Sequence, residues 1–153
     1  MKPSLSRRRF RLLLLLTIRY TPLPWDWKWR LIWLASNKVV LSTCALIRNP
    51  EGKILVLRSQ YSGRWQFPGG AVKRREMAAV ALRRECREEL GLELNEARLT
   101  NVLPVEGGLS QCVLFAATLA PGRICLSEEH TDHRYLSLAE LPENLRRIVA
   151  NSV

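Results

Sequence analysis

From Lys38 onward the chain alternates between two hydrophobic rhythms. "KVVLSTCALIRN" is dense in β-branched and apolar residues, "NPEG" is a turn, and "KILVLRS" is a second apolar run, so residues 39–58 read as a β-hairpin. A short strand through "RWQF" leads to Pro68, Gly69 and Gly70. The period then changes to that of a helix: Ala79, Leu82, Cys86 and Leu90 fall on one stripe, predicting a helix from about Glu76 to Leu90 that Gly91 stops. Strand patterns return near Leu99–Val105 and Gln111–Leu119, joined at Gly107 and Gly108. "RICLSEEHTDHRYLSL" has strand character at both ends, and a last helix begins near Pro142. Strands, one long helix, more strands and a closing helix predict an α/β (α+β) sandwich in which helices cover a mixed sheet.

Upstream of Lys38 the pattern differs. "MKPSLSRRRFRLLLLLTIRY" places basic residues before an apolar run of about seven residues that Arg19 closes, too short to span a bilayer and without a small-residue cleavage site. It reads as a short basic helix. After "TPLP", Trp25, Trp29, Ile32 and Trp33 share one face of a second helix that Asn37 could end. Packing against the domain or a second subunit is the favoured use of that stripe; contact with a membrane surface or nucleic acid is the alternative. The chain thus divides into a basic, Trp-rich helical extension over 1–38 and a domain over 39–153.

Composition sharpens this division. Residues 1–38 hold nine Lys/Arg against Asp26 alone, a net of +8, whereas residues 39–153 hold fifteen against thirteen. The positive field is an N-terminal property that attracts polyanions and says nothing of fold. Cys44, Cys86, Cys112 and Cys125 are scattered without a CxxC pair or a His at metal spacing, which favours reduced thiols and a cytoplasmic setting over zinc.

The long helix carries an anomaly. Glu85, Glu88 and Glu89 lie three and four residues apart, where like charges repel by about 0.2–0.5 kcal/mol per pair. A solvated face with Arg84 paired to Glu88 is the bland account. The sharper one is a divalent cation among three carboxylates, since hard oxygen ligands suit Mg²⁺ or Mn²⁺.

The flanking spacing decides between them. Gly70, five residues, Glu76, seven residues, then Arg84, Glu85, Cys86, Arg87, Glu88, Glu89, Leu90, Gly91 and Leu92 reproduce every fixed position of G-x5-E-x7-R-E-U-x-E-E-x-G-U, with Cys86 in an aliphatic slot. At residue frequencies of about 6%, seven fixed matches at one start point have a chance on the order of one in several hundred million. The stretch resembles the signature of the Nudix hydrolases, and "WQFPGG" and "HRYLSLAELPENL" extend the likeness more loosely. Residues 1–38 lie outside it.

The resemblance implies a Nudix α/β/α sandwich with a mixed sheet. It also implies Mg²⁺- or Mn²⁺-dependent hydrolysis of a pyrophosphate bond in a nucleotide-type substrate. By position, Glu85, Glu88, Glu89 and the Gly69 carbonyl would hold metal, and Glu85 would also orient or deprotonate water. Arg84 would position Glu85, Glu76 would brace the helix start, and Gly70 and Gly91 would serve the motif's turns. Glu129 is the favoured additional base, with Glu128 or Glu106 as substitutes; a surface or hydrogen-bonding role is the default for His130. Arg75 stands where many relatives have Gly, and Arg74 and Arg75 are candidates to grip phosphate. Trp65 and Phe67 are candidates to stack on a base, although core packing is favoured for both. Two other uses fit the same residues: a 5′-end RNA pyrophosphohydrolase gripping RNA through its basic N-terminus, and a non-catalytic ligand-sensing domain. The N-terminal helices also offer a homodimer contact.

Overall fold

A computed structural model describes residues 21–22, 24–35, 39–105 and 110–150. The basic helix expected within 1–20, the stop at Asn37, the turn at Gly107 and Gly108, and Glu106 lie outside the described residues. The chain groups into two compact units, 1–38 and 39–153.

In the first unit, helix α1 spans Trp25–Ala35. Trp25 and Trp29, one turn apart, meet edge to face at 5.9 Å, and the Arg30 guanidinium lies 5.2 Å from the Trp27 ring centre. Trp25, Trp29 and Trp33 are 54–66% exposed within the single chain. No helix among the described residues is long and apolar enough to cross a membrane.

Among its described residues the second unit has seven strands: β1 (Val40–Ile47), β2 (Ile54–Ser59), β3 (Trp65–Gln66), β4 (Gly69–Ala71), β5 (Leu94–Pro104), β6 (Ser110–Leu119) and β7 (His130–Leu136). Its helices are α2 (Ala78–Leu90) and α3 (Glu143–Ala150). Strands β4-β1-β6-β5 form a mixed sheet in which β1 and β6 run parallel; β3-β2-β7 form a separate antiparallel sheet.

This topology corrects the hairpin expected over 39–58. The turn forms, with Gly52 at φ 76° and the Lys53 amide donating to Asn49 Oδ1 at 2.8 Å, but only the Arg48–Ile54 bridge joins the two runs. Ile54 to Leu57 are all buried, so β2 needs cover on both faces and ladder partners on both edges, which β3 and β7 supply. β1 instead takes β6 and β4.

Side-chain alternation divides the interior. Ala45, Ile47, Leu55, Leu57, Val113 and Phe115 pack with Leu82, Cys86 and Leu90 of α2. Leu46, Ile54, Val56 and Leu114, the intervening positions, pack with Leu145 and Val149 of α3. Period two therefore builds the sandwich, each strand feeding both cores. Phe67 belongs to the α3-side core at 5% exposure, which removes it as a stacking surface for a base.

Two further departures bear on the site. Helix α2 starts at Ala78 rather than Glu76, because Met77 is extended and Glu76 is committed to the preceding loop, accepting the Lys73 amide at 2.8 Å. Residues 123–129 form no strand; their amides instead take up carbonyls at the end of α2, Cys125 bonding Leu90 at 2.9 Å and Ser127 bonding Glu89 at 3.2 Å. Gly91, at φ 67°, closes the helix by donating to the Arg87 carbonyl at 3.0 Å.

Arg75 sits at φ 65°, the only non-glycine among the described residues with positive φ, which explains why glycine suits that position. Left-handed backbone costs a side-chain-bearing residue about 1–2 kcal/mol, and glycine's extra unfolded freedom returns about 0.5–1 kcal/mol of any gain. Arg75→Gly is therefore expected to raise the unfolding free energy by up to about 1 kcal/mol while Arg75→Ala leaves it near the parent value, as urea denaturation would read.

Candidate active site

The site is assembled where β4 passes beneath α2. Gly69 has φ 139°, and a Cβ there would lie 2.1 Å from the Thr43 carbonyl oxygen of the neighbouring strand. Only glycine fits, and the amide so placed donates to Glu89 Oε2 at 2.8 Å. A Cβ on Gly70 would come within 2.7 Å of the Glu85 carboxyl group. The two glycines thus let two helix glutamates lie directly against strand backbone.

Arg84 is the hub. Its Nε and Nη2 form a two-toothed fork on Glu76 at 2.9 and 3.0 Å, Nη1 donates to Glu85 at 2.5 Å and to Glu88 at 3.2 Å, and Nη2 also reaches the Ala71 carbonyl at 3.1 Å. One guanidinium therefore holds three carboxylates and ties α2 to β4. The Arg84 hydrogen bonds, helped by the Lys73 amide, pull the Glu76 carboxyl from an ordinary 4.5 to about 2. Arg84 is held charged by the same contacts. Arg83 and Arg87 serve elsewhere, Arg83 bonding the Leu94 carbonyl and Arg87 pairing with Glu93.

Glu89 is different in kind. It is 4% exposed, and burial lifts its carboxyl to about 8 despite the Gly69 amide, with the charges of Glu85, Glu129 and Glu88 adding to the rise. His130 backs it: Nε2 is 3.5 Å from Glu89 Oε1 and 3.2 Å from Gln66 Nε2, while Nδ1 is 3.5 Å from Ser127 Oγ. Burial depresses the imidazole's proton affinity, so His130 is neutral at pH 7. It is a buried, hydrogen-bonding residue rather than a surface one. The grouping of His130 with Gln66 and Ser127 was not legible in the sequence, because only the sheet pairing β3-β2-β7 brings those positions together.

Glu85, Glu88 and Glu89 share this end of α2, and the exposed Glu129 contributes to the field at Glu89. Glu129 is fixed through its main chain, its carbonyl accepting the Gln60 amide at 2.8 Å. Arg74 and Arg75 are exposed on the loop before α2. Trp65 is half-buried, with the Arg134 guanidinium 5.2 Å from its ring centre.

As the side chains stand, no three His, Cys, Asp or Glu groups among the described residues converge on one point as metal ligands. Two of the glutamates are turned to Arg84 and the third to the Gly69 amide. The donor set nevertheless fits a hard cation: it is all oxygen, crowded with like charge, and contains a carboxyl that burial, with the neighbouring carboxylates, makes reluctant to ionise.

The Glu76–Arg84 fork makes a pH-dependent contribution to stability. Because the folded pKa lies below the unfolded one, the contribution is present above about 4.5 and is lost as pH falls toward 2. The difference in denaturation midpoint between the parent and Glu76→Gln should narrow through that window; a constant difference would contradict the assignment.

Comparison with known proteins places this geometry. The NUDIX domain model matches residues 38–152. An RNA pyrophosphohydrolase of Hydrogenovibrio crunogenus is 41% identical over 54 residues, 35% of this chain and 33% of that protein, so the chain spans about a third of that relative in the match. Among solved structures, a MutT Nudix hydrolase from Burkholderia pseudomallei is 26% identical with a TM-score of 0.66, covering 76% of this chain and 98% of that one. A MutT protein from Methanosarcina mazei Go1 is 25% identical with a TM-score of 0.64, covering 76% and 94%. The glycine-backed, Arg84-centred carboxylate cluster is thus set in a fold that those two structures share, and the chain belongs to the Nudix family.

Proposed function

We propose that this chain is a divalent-cation-dependent hydrolase that cleaves a pyrophosphate bond in a nucleoside di- or triphosphate or a nucleoside diphosphate derivative, and that it works in the cytoplasm. The observation that carries the reading is the Arg84 fork holding Glu76, Glu85 and Glu88 beside a buried Glu89. A purely structural helix gains nothing from that concentration of negative charge.

Nudix proteins generally use divalent metal cations. Here Glu85, Glu88, Glu89 and the Gly69 carbonyl would hold Mg²⁺ or Mn²⁺. When bound, such an ion offsets charge building on the phosphate oxygens and acidifies water.

The chain's own groups do the rest. Arg84 keeps Glu85 from swinging away, so the carboxylate is preoriented to align a water molecule or take its proton. Glu129 is the second candidate for that proton, standing near enough to raise Glu89. The attacking water forms a new P–O bond, the bridging P–O bond breaks, and the leaving phosphate departs with the bridging oxygen. Arg74 and Arg75 are free to approach phosphate from the exposed loop, and Trp65 offers a partly open ring face for a base.

Glu88→Gln is expected to lower cation-dependent phosphate release from a panel of nucleotides by on the order of 10²-fold or more, with circular dichroism unchanged. A folded variant turning over at the parent rate would refute the reading.

A second reading has a specific observation behind it. The relative from Hydrogenovibrio crunogenus is an RNA pyrophosphohydrolase, and residues 1–38 carry a net of +8. If RNA is the substrate, Arg7, Arg8 and Arg9 act as a phosphate grip. Changing all three to Ala should flatten the salt dependence of RNA binding by about 0.7 per lost contact while mononucleotide cleavage is unaltered. Equal losses on both substrates would sink this reading. A ligand-sensing domain without activity has no such support, since every motif carboxylate is present.

A further inference from the structure

Two thiols meet on the α3 side of the four-stranded sheet. Cys44 of β1 and Cys112 of β6 come from parallel neighbours whose register pairs Ser42 with Cys112 and Cys44 with Leu114, so all four side chains share one face. The two sulfurs are 2.7 Å apart, against about 2.05 Å for a disulfide bond. Neither motif spacing nor the proposed hydrolysis uses this pair. The other two cysteines are placed differently: Cys86 is buried in the α2-side core, and Cys125 is exposed.

One sulfur of the pair is accessible. Cys112 lines a cavity of about 500 Å³ bounded by Leu103, Leu114, Glu143 and Arg147, so a small thiol reagent has a way in. Because Cys112 is the sulfur that lines this cavity, it is the one an entering reagent meets first, which makes it the attacking sulfur. Cys44, on the neighbouring strand and within reach of Cys112 Sγ, is the resolving partner.

The pair also adjoins the site. Cys44 lies opposite Gly69 in the β1–β4 ladder, and the Ala45 amide bonds the Pro68 carbonyl at 2.8 Å. Gly69 in turn holds Glu89, and a Cβ built on it would lie 2.7 Å from the Cys44 Cα. Movement of β1 at position 44 is therefore passed to the Glu89 anchor with little slack.

We propose that Cys44 and Cys112 form a reversible disulfide whose closure displaces the Gly69 anchor and weakens divalent-cation binding. The oxidant is a low-molecular-weight disulfide, RSSR. Cys112 thiolate attacks one of its sulfurs and releases RS⁻, giving a mixed disulfide. Cys44, losing its proton, attacks Cys112 Sγ and releases the second RS⁻. The net change is two protein thiols and RSSR to one protein disulfide and two RSH. The cation-binding half of the proposal rests on the function proposed above; the disulfide itself does not.

The test uses the full chain incubated with oxidised glutathione, alkylated, and read by intact mass and peptide mapping, alongside Cys112→Ser. The expected result is loss of two hydrogens, a crosslinked pair of peptides containing residues 44 and 112, reversal by dithiothreitol, and no such loss in Cys112→Ser. Recovery of both cysteines alkylated, or carrying separate glutathione adducts, would overturn the disulfide. Mn²⁺ titration of the two forms should show binding weaker by about fivefold or more after oxidation. Equal affinity of a mapped disulfide form overturns the coupling. Absence of Mn²⁺ binding in both forms overturns the functional reading and the coupling with it, while the disulfide stands or falls by mass alone.

Discussion

Everything at the active end of this domain depends on how one guanidinium is shared. Arg84 pairs with Glu76 on the loop, with Glu85 and Glu88 on its own helix, and with the Ala71 carbonyl on β4. Three acidic groups gathered from the loop and the helix repel, and a single planar cation with donors on two edges is what allows them to remain together. The same contacts fasten the start of α2 in place of a side-chain cap, which Met77 cannot supply. Support of the helix and arrangement of the carboxylates are thus one set of hydrogen bonds.

The other end of α2 is tied down by main chain. Cys125 and Ser127 donate to the helix's last carbonyls, and this irregular segment leads directly to Glu129 and His130. A strand over 123–129 would have left those carbonyls unmet and carried the acidic loop away. Glu89 sits between the two fastenings, held by the Gly69 amide and backed by a neutral His130. Its resistance to ionising follows from burial, and a cation is the natural means of overcoming it.

How much of this was legible varied with the reach of the interaction. The stripe of Leu82, Cys86 and Leu90, the stop at Gly91 and the spacing of Arg84 with its glutamates are local, and the sequence carries them in full. The β1–β2 hairpin was misread because it turns on partners distant in the chain: β1 leaves β2 to pair with β6. For Phe67 the favoured core packing holds, and only the alternative of stacking on a base falls away. The join of His130, Gln66 and Glu89 depends on sheet order, which no window of sequence contains. The positive φ of Arg75 hides in a position where composition alone offers only another basic residue.

The central claim is that the Arg84-centred carboxylates direct water onto phosphorus with the help of a divalent cation. The direct measurement is turnover of a nucleoside diphosphate derivative in ¹⁸O-labelled water, with Mg²⁺ present or chelated, reading the label in each product by mass. The account predicts one labelled oxygen on a single phosphate product and loss of turnover on chelation. Products free of label, or turnover undiminished by the chelator, would contradict it.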